Sequence, residues 1–136
     1  MFSIGKLSKR TGVKITTIRY YEQMGLMDTP ERSVGNQRRY TKSDLQCLSF
    51  IRHSRELGFS LHDIKGLLEL NQQPGSPCKN AHLIALRHLT EVRVRITKLR
   101  RLERELKRIS DCRADSIESC AVIETLADHS LCQRDH

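Results

Sequence analysis

Between Lys79 and Ser110 this 136-residue chain contains no glycine and no proline, and its apolar residues at Ala85, Leu89, Val92, Ile96 and Leu99 alternate spacings of four and three. That is the seam of a coiled coil. Leu102, Leu106 and Ile109 extend it after one three-residue step, which shifts the register once. At about 1.5 Å rise per residue the helix would be about 48 Å long. It is too long and too basic to fold usefully alone, so the pattern predicts pairing with a second helix, most simply in a homodimer.

Cysteines mark both ends of this rod, Cys78 just before it and Cys112 and Cys120 just after it. Two antiparallel rods would bring each Cys78 beside Cys112 and Cys120 of the other chain, forming a metal site shared by two protomers. Five cysteines is an odd number, and their spacing does not match a small secreted disulfide framework, so reduced thiols are expected. Cys112 and Cys120 bracket the loop Arg113 to Ser119, long enough to wrap one ion, and thiolates select soft or borderline cations. Acidic side chains at Asp111, Asp115, Glu118, Glu124, Asp128 and Asp135 outnumber Arg113 and Arg134 in the tail. Such a tail suits a cation and is a poor DNA surface. Cys47, between Leu45 and Leu48, reads as a core thiol.

The chain before the rod reads as a series of short helices separated by turn signals. Ile4, Leu7 and Ser8 open the first, which Thr11-Gly12 stops; Val13 to Tyr21 forms a second, with Val13, Ile15, Ile18 and Tyr21 inward and Lys14, Thr16, Thr17, Arg19 and Tyr20 outward. Two short helices across a glycine turn make a helix-turn-helix. Gly25 and Pro30 break the pattern, and Val34-Gly35-Asn36-Gln37, leading into Arg38-Arg39-Tyr40, reads as a β-hairpin wing. Thr41, with Asp44 three residues on, caps a helix through Leu45, Leu48, Phe50 and Ile51; Ser60 caps another over Leu61 to Leu70. Pro74, Gly75 and Pro77 mark a linker. The expected organisation is residues 1–70 as a DNA-binding head, 71–78 as a hinge, 79–110 as a dimerisation helix and 111–136 as a metal-binding loop and tail.

With 24 Lys+Arg against 16 Asp+Glu the net charge is +8 and the pI about 9.6, which favours a polyanionic partner, nucleic acid above all. No stretch approaches the roughly 20 apolar residues of a membrane span, and no secretion signal is evident, so a cytoplasmic protein without membrane association is expected. The chain has no Ser-His-Asp arrangement, phosphate loop or zinc-hydrolase helix motif. It does not read as an enzyme.

These residues resemble the mercury-resistance regulator (MerR) family of bacterial transcription factors. The resemblance runs through Ile4-Gly5-Lys6-Leu7, Thr11-Gly12-Val13, Ile18-Arg19-Tyr20-Tyr21-Glu22 with Gly25-Leu26, Arg38-Arg39-Tyr40 and Leu57-Gly58-Phe59-Ser60-Leu61. It implies a mainly α fold: an N-terminal winged helix-turn-helix, a long antiparallel coiled-coil dimerisation helix and a short C-terminal metal-binding loop and helix. It also implies a dimer on a promoter whose −35 and −10 elements are too far apart. Effector binding would bend and untwist the spacer so that RNA polymerase engages both. Bending DNA by tens of degrees costs on the order of 1–6 kcal/mol, which phosphate contacts from both ends of a dimer can offset.

On this resemblance the DNA-facing residues are Thr16, Thr17, Arg19 and Tyr20 on the recognition helix, Arg32, Arg38, Arg39 and Tyr40 on the wing, and Arg55 against the backbone. Tyr21, Ile18 and Leu26 belong to the core. The metal ligands are Cys78, Cys112 and Cys120. Copper, silver and gold sensors of the family have a serine where this chain has Cys78. Two thiolates suit linear Cu(I), whereas a third favours a divalent ion, so Zn(II), Cd(II), Pb(II) or Hg(II) is the expected effector. His82, His129, Cys132 or Asp111 is available as a fourth ligand for tetrahedral Zn(II). Two alternatives stay open: a Cu(I)/Ag(I) sensor, and a metal-independent thiol redox sensor.

Overall fold

The computed structural model describes residues 1–30, 35, 39–111 and 113–127. The hairpin expected over Val34 to Gln37 falls outside them except for Gly35, as do Arg32, Arg38, Cys112, His129 and Cys132. Among the described residues six α-helices follow in order: α1 (Ile4–Thr11), α2 (Ile15–Gln23), α3 (Lys42–Glu56), α4 (Leu61–Asn71), α5 (Lys79–Ser110) and α6 (Ala121–Ala127), the last preceded by a 3-10 turn at Ile117–Ser119. The fold is mainly α. Among the described residues β pairing is limited to one antiparallel bridge, in which Phe2 and Tyr40 exchange N–H···O bonds of 2.7 and 2.8 Å.

Helix starts are set by side-chain oxygens that satisfy otherwise unpaired N–H groups. Ser3 accepts from the Lys6 N–H at 3.2 Å and Ser60 from the Asp63 N–H at 3.1 Å. Thr41 and Asp44 form a full capping box: Thr41 Oγ1 accepts from the Asp44 N–H at 3.2 Å, and the Asp44 carboxylate from the Thr41 N–H at 2.8 Å. The stop after α1 is the left-handed Gly12, φ 76°, whose N–H donates to the Ser8 carbonyl.

α2 begins two residues later than its sequence pattern suggests, because Lys14 takes the cap position. Ile15 is consequently 36% exposed rather than inward-facing. At about 100° per residue it lies about 120° around the helix from Tyr21, off the stripe that Ile18 and Tyr21 bury. The core of the first unit joins Leu7 of α1, Ile18 and Tyr21 of α2, Leu48 and Ile51 of α3 and Ile64 of α4 to Leu26, Met27 and Tyr40.

The chain divides into two compact units, Met1–Ile84 and Ala85–His136. The division falls inside α5 rather than in the linker, so the first turns of α5 group with the head. Gly66 of α4 faces Ile84 at the start of α5: a Cβ built there would lie 3.7 Å from Ile84 Cδ1, an ordinary van der Waals contact. In the second unit Val122 of α6 and Leu99, Leu102, Leu106 and Ile109 of α5 line one apolar groove. Leu99 and Leu106 remain largely exposed even there, at 63% and 61%. No helix among the described residues is long and apolar enough to cross a membrane.

Removing the Thr41 cap by Thr41→Ala should cost about 1 kcal/mol of stability. Leu48→Ala, emptying a fully buried core position, should cost about 2–5 kcal/mol. Urea denaturation at fixed protein concentration measures both, and equal losses would contradict this core assignment.

Candidate nucleic-acid interface and thiol sites

The turn between α1 and α2 is held by side chains at both of its ends. Thr11 Oγ1 donates to the Leu7 carbonyl at 2.8 Å and accepts from the Val13 N–H at 3.3 Å, while Ser8 Oγ donates to the Val13 carbonyl at 2.6 Å. From α3, the Arg52 guanidinium donates to the Thr11 carbonyl and pairs with Glu56 at 3.2 Å. A Cβ on Gly12 would sit 2.9 Å from Arg52 Nη1, so the guanidinium uses space that only glycine leaves. Arg52 was not among the predicted functional residues. Its partner lies far away in sequence, where no local pattern could reveal it.

With Ile18 and Tyr21 buried, α2 presents the opposite face outward. Thr16, Arg19 and Tyr20 are exposed and Thr17 is half-buried. Thr16 precedes Arg19 and Tyr20 by three and four positions, so the three share one face. The Tyr20 and Tyr21 rings lie 6.2 Å apart between centroids and tilted by 52°. Lys14 is exposed at the start of the same helix.

The wing-side residues divide. Arg39 is half-buried. Tyr40, expected to face DNA, is instead fully enclosed in the core, with its hydroxyl donating to the Glu22 carboxylate. A phenol at 0% exposure presents no surface to a duplex, and the Phe2 bridge that fixes its backbone turns the ring inward. Arg55 is exposed, and its Nη1 donates to the Phe59 carbonyl at 2.8 Å across the turn between α3 and α4.

Three described cysteines are free thiols, in three different settings. Cys78 is exposed and directly precedes α5, its carbonyl accepting the His82 N–H at 2.9 Å. It stands on the rim of an apolar groove of about 360 Å³ lined by Phe50, Leu67, Leu70, Pro77 and Ala81. Cys120 is half-buried between the 3-10 turn and α6, its N–H donating to the Ile117 carbonyl at 3.2 Å and its carbonyl accepting the Glu124 N–H at 3.0 Å. Cys47 packs against the core with Sγ 3.7 Å from the Leu26 carbonyl. Burial pushes its thiol above the usual range, and Asp44 and Asp28 push the same way. Among the described residues no three His, Cys, Asp or Glu side chains gather into a metal cluster.

The family pattern described as "MerR HTH family regulatory protein" matches residues 2–71, and that described as "MerR, DNA binding" matches residues 45–109. The HTH-type transcriptional regulator ZntR of Escherichia coli (strain K12) is 41% identical over 130 residues, spanning 93% of this chain and 92% of its own. The transcription regulator PbrR691 from Ralstonia metallidurans CH34, solved in complex with lead(II), matches with a TM-score of 0.80 and 36% identity over 93% of this chain and 99% of that one. HiNmlR, a MerR family regulator lacking the sensor domain and solved bound to promoter DNA, matches with a TM-score of 0.58 and 26% identity over 90% and 94% of the two chains.

A raised thiol pKa keeps Cys47 protonated and poorly nucleophilic at neutral pH, with reactivity appearing only as pH rises towards that value. Alkylation by iodoacetamide at pH 7.5, mapped by mass spectrometry on reduced protein, should therefore modify Cys47 more slowly than Cys78. Faster labelling of Cys47 would overturn its placement in the core.

Proposed function

The chain belongs to the MerR family of helix-turn-helix regulatory proteins, and from that membership we propose that it is a metal-responsive transcriptional activator working as a homodimer on a promoter spacer. Its effector is a divalent soft metal held by thiolates, Zn(II), Cd(II), Pb(II) or Hg(II). The observation that carries the reading is the placement of reduced thiols at both ends of α5: Cys78 directly before it, and Cys120 beyond it at the start of α6. Antiparallel pairing of two α5 helices along their exposed leucines brings opposite ends together. Cys112 and Cys120 of one protomer then meet the partner's Cys78.

The donor set fits such an ion. Exposed and half-buried free thiols are accessible ligands, and Cys112 and Cys120 lie in a tail rich in carboxylates. Two thiolates neutralise a divalent cation, and a third gives a net negative site that Cu(I), content with two ligands, does not need. The names of the relatives support a metal effector without choosing one: PbrR691 was solved with lead(II).

On the DNA side, Thr16, Thr17, Arg19 and Tyr20 enter the major groove, while Arg39, with Arg32 and Arg38 of the wing, binds phosphate. Arg55 contributes a further backbone contact from the α3–α4 turn. The linker from Asn71 to Pro77 and the first turns of α5 belong to the head, and Cys78 lies among them, so closing the shared thiolate site pulls on the head and changes the angle between heads. The spacer bends and untwists with them, and RNA polymerase can engage both promoter elements.

Cadmium titration of the fully reduced protein, followed by thiolate-to-metal ultraviolet absorption, should give one sharp endpoint per chain with three-thiolate intensity. Cys78→Ser should lower that intensity while leaving DNA affinity intact and abolishing induction. Identical titrations of the two proteins would remove Cys78 and favour the Cu(I) reading; no metal uptake under strong reductant would favour a redox sensor. Arg19→Ala should weaken binding to a duplex selected from a random pool by the native protein, by about 1–3 kcal/mol at physiological salt. Unchanged affinity would take Arg19 off the contact surface.

A further inference from the structure

The carbonyl of the last residue of a helix has no acceptor role within the helix and must find a donor elsewhere. Thr11 ends α1, and its carbonyl accepts from Nη1 of Arg52, which reaches it from α3. Nε of the same guanidinium donates to Glu56 at 3.2 Å, one turn further along α3, so two of its nitrogens are engaged at once. The approach is close. Gly12, next to Thr11, is left-handed and carries no Cβ where Nη1 passes. Between this anchor and α2 the chain has little freedom: the side chains of Ser8 and Thr11 hold the carbonyl and the N–H of Val13, and Lys14 then opens α2 with no side-chain cap of its own. The start of α2 follows the turn, and the turn is tied to Arg52.

We propose that Arg52 is a positioning residue for DNA recognition: through the Thr11 carbonyl it locks the α1–α2 turn to α3, and so sets where Thr16, Arg19 and Tyr20 stand against the bases without itself binding the duplex. The inference rests on reading the exposed face of α2 as the DNA surface. Hydrogen bonds to base edges depend steeply on distance and angle, whereas the attraction between a cation and phosphate falls off slowly with separation. A loosened turn therefore costs sequence-specific binding first, and charge-driven attachment to any duplex survives it.

The test compares the native full chain with Arg52→Ala, Arg52→Lys and Arg19→Ala on a duplex selected from a random pool by the native protein and on a scrambled duplex, over a range of salt, with thermal melting in parallel. Arg52→Ala should bind the selected duplex about tenfold more weakly and the scrambled one within about twofold of native, with the slope of log affinity against log salt unchanged. Arg52→Lys keeps the charge but not the planar fork, so on the selected duplex it should stay nearer to Arg52→Ala than to the native protein. Equal losses on both duplexes with a slope lower by about one would make Arg52 a phosphate contact and overturn the inference. So would native affinity for the selected duplex in either Arg52 variant, or losses on both duplexes that match the unfolded fraction seen in melting. Arg19→Ala separates the two levels: if it binds the selected duplex like the native protein, the DNA-face reading fails and the inference with it, whereas weak binding by Arg19→Ala beside normal binding by Arg52→Ala sinks the inference alone.

Discussion

Burial of Ile18 and Tyr21 is the interaction on which the rest of the head depends. These two side chains fix the rotation of α2 against Leu7, Leu48 and Ile64, and rotation is what decides which residues of a helix reach solvent. A turn of α2 by one residue, about 100°, would bury Arg19 and expose Ile18. The α1–α2 turn defends the same geometry from outside the core, through Thr11, Gly12 and the Arg52 guanidinium arriving from α3. The outward presentation of Thr16, Arg19 and Tyr20 is thus an output of apolar packing on the far side of the helix.

The cysteines show how the same side chain takes different roles from its surroundings. Cys47 is half-buried against the core near two carboxylates, and both burial and charge favour the neutral thiol, an inert packing group. Cys78 is exposed at a junction between linker and helix, and Cys120 sits where a 3-10 turn hands over to α6. Neither is held by a core.

Much of this was legible in the sequence, for reasons that are local. α5 was predicted with its observed limits because the absence of Gly and Pro and the seam spacing act within a few residues of each other. The Thr41–Asp44 box and the Gly12 stop were readable for the same reason. The inward turn of Tyr40 was not, since in the sequence it continues a basic run of apparent contact residues. Only its pairing with Phe2 and Glu22, each distant along the chain, makes it a core residue. Arg52 escaped by the same logic. Ile15 was misplaced because apolar character alone could not reveal that Lys14, and not Val13, opens the helix.

Charge is distributed unevenly along the chain. Basic side chains at Arg19 and Arg39 stand in the head, while Asp111, Asp115, Glu118 and Glu124 accompany the thiols of the tail. A tail of this kind is repelled by the phosphates that attract the head, so it gains nothing by lying on DNA and remains available to a cation. On the proposed reading, thiolates gathered there would raise the affinity for divalent ions and discourage the same segment from competing for the duplex. Signal transfer would then fall to the short linker ending at Cys78. There an apolar groove formed by Phe50, Leu67, Leu70, Pro77 and Ala81 ties α3, α4 and the start of α5 into one packed unit. Under the proposed function, metal capture at Cys78 would therefore act on the head as a whole, as a change of angle between two bound heads requires.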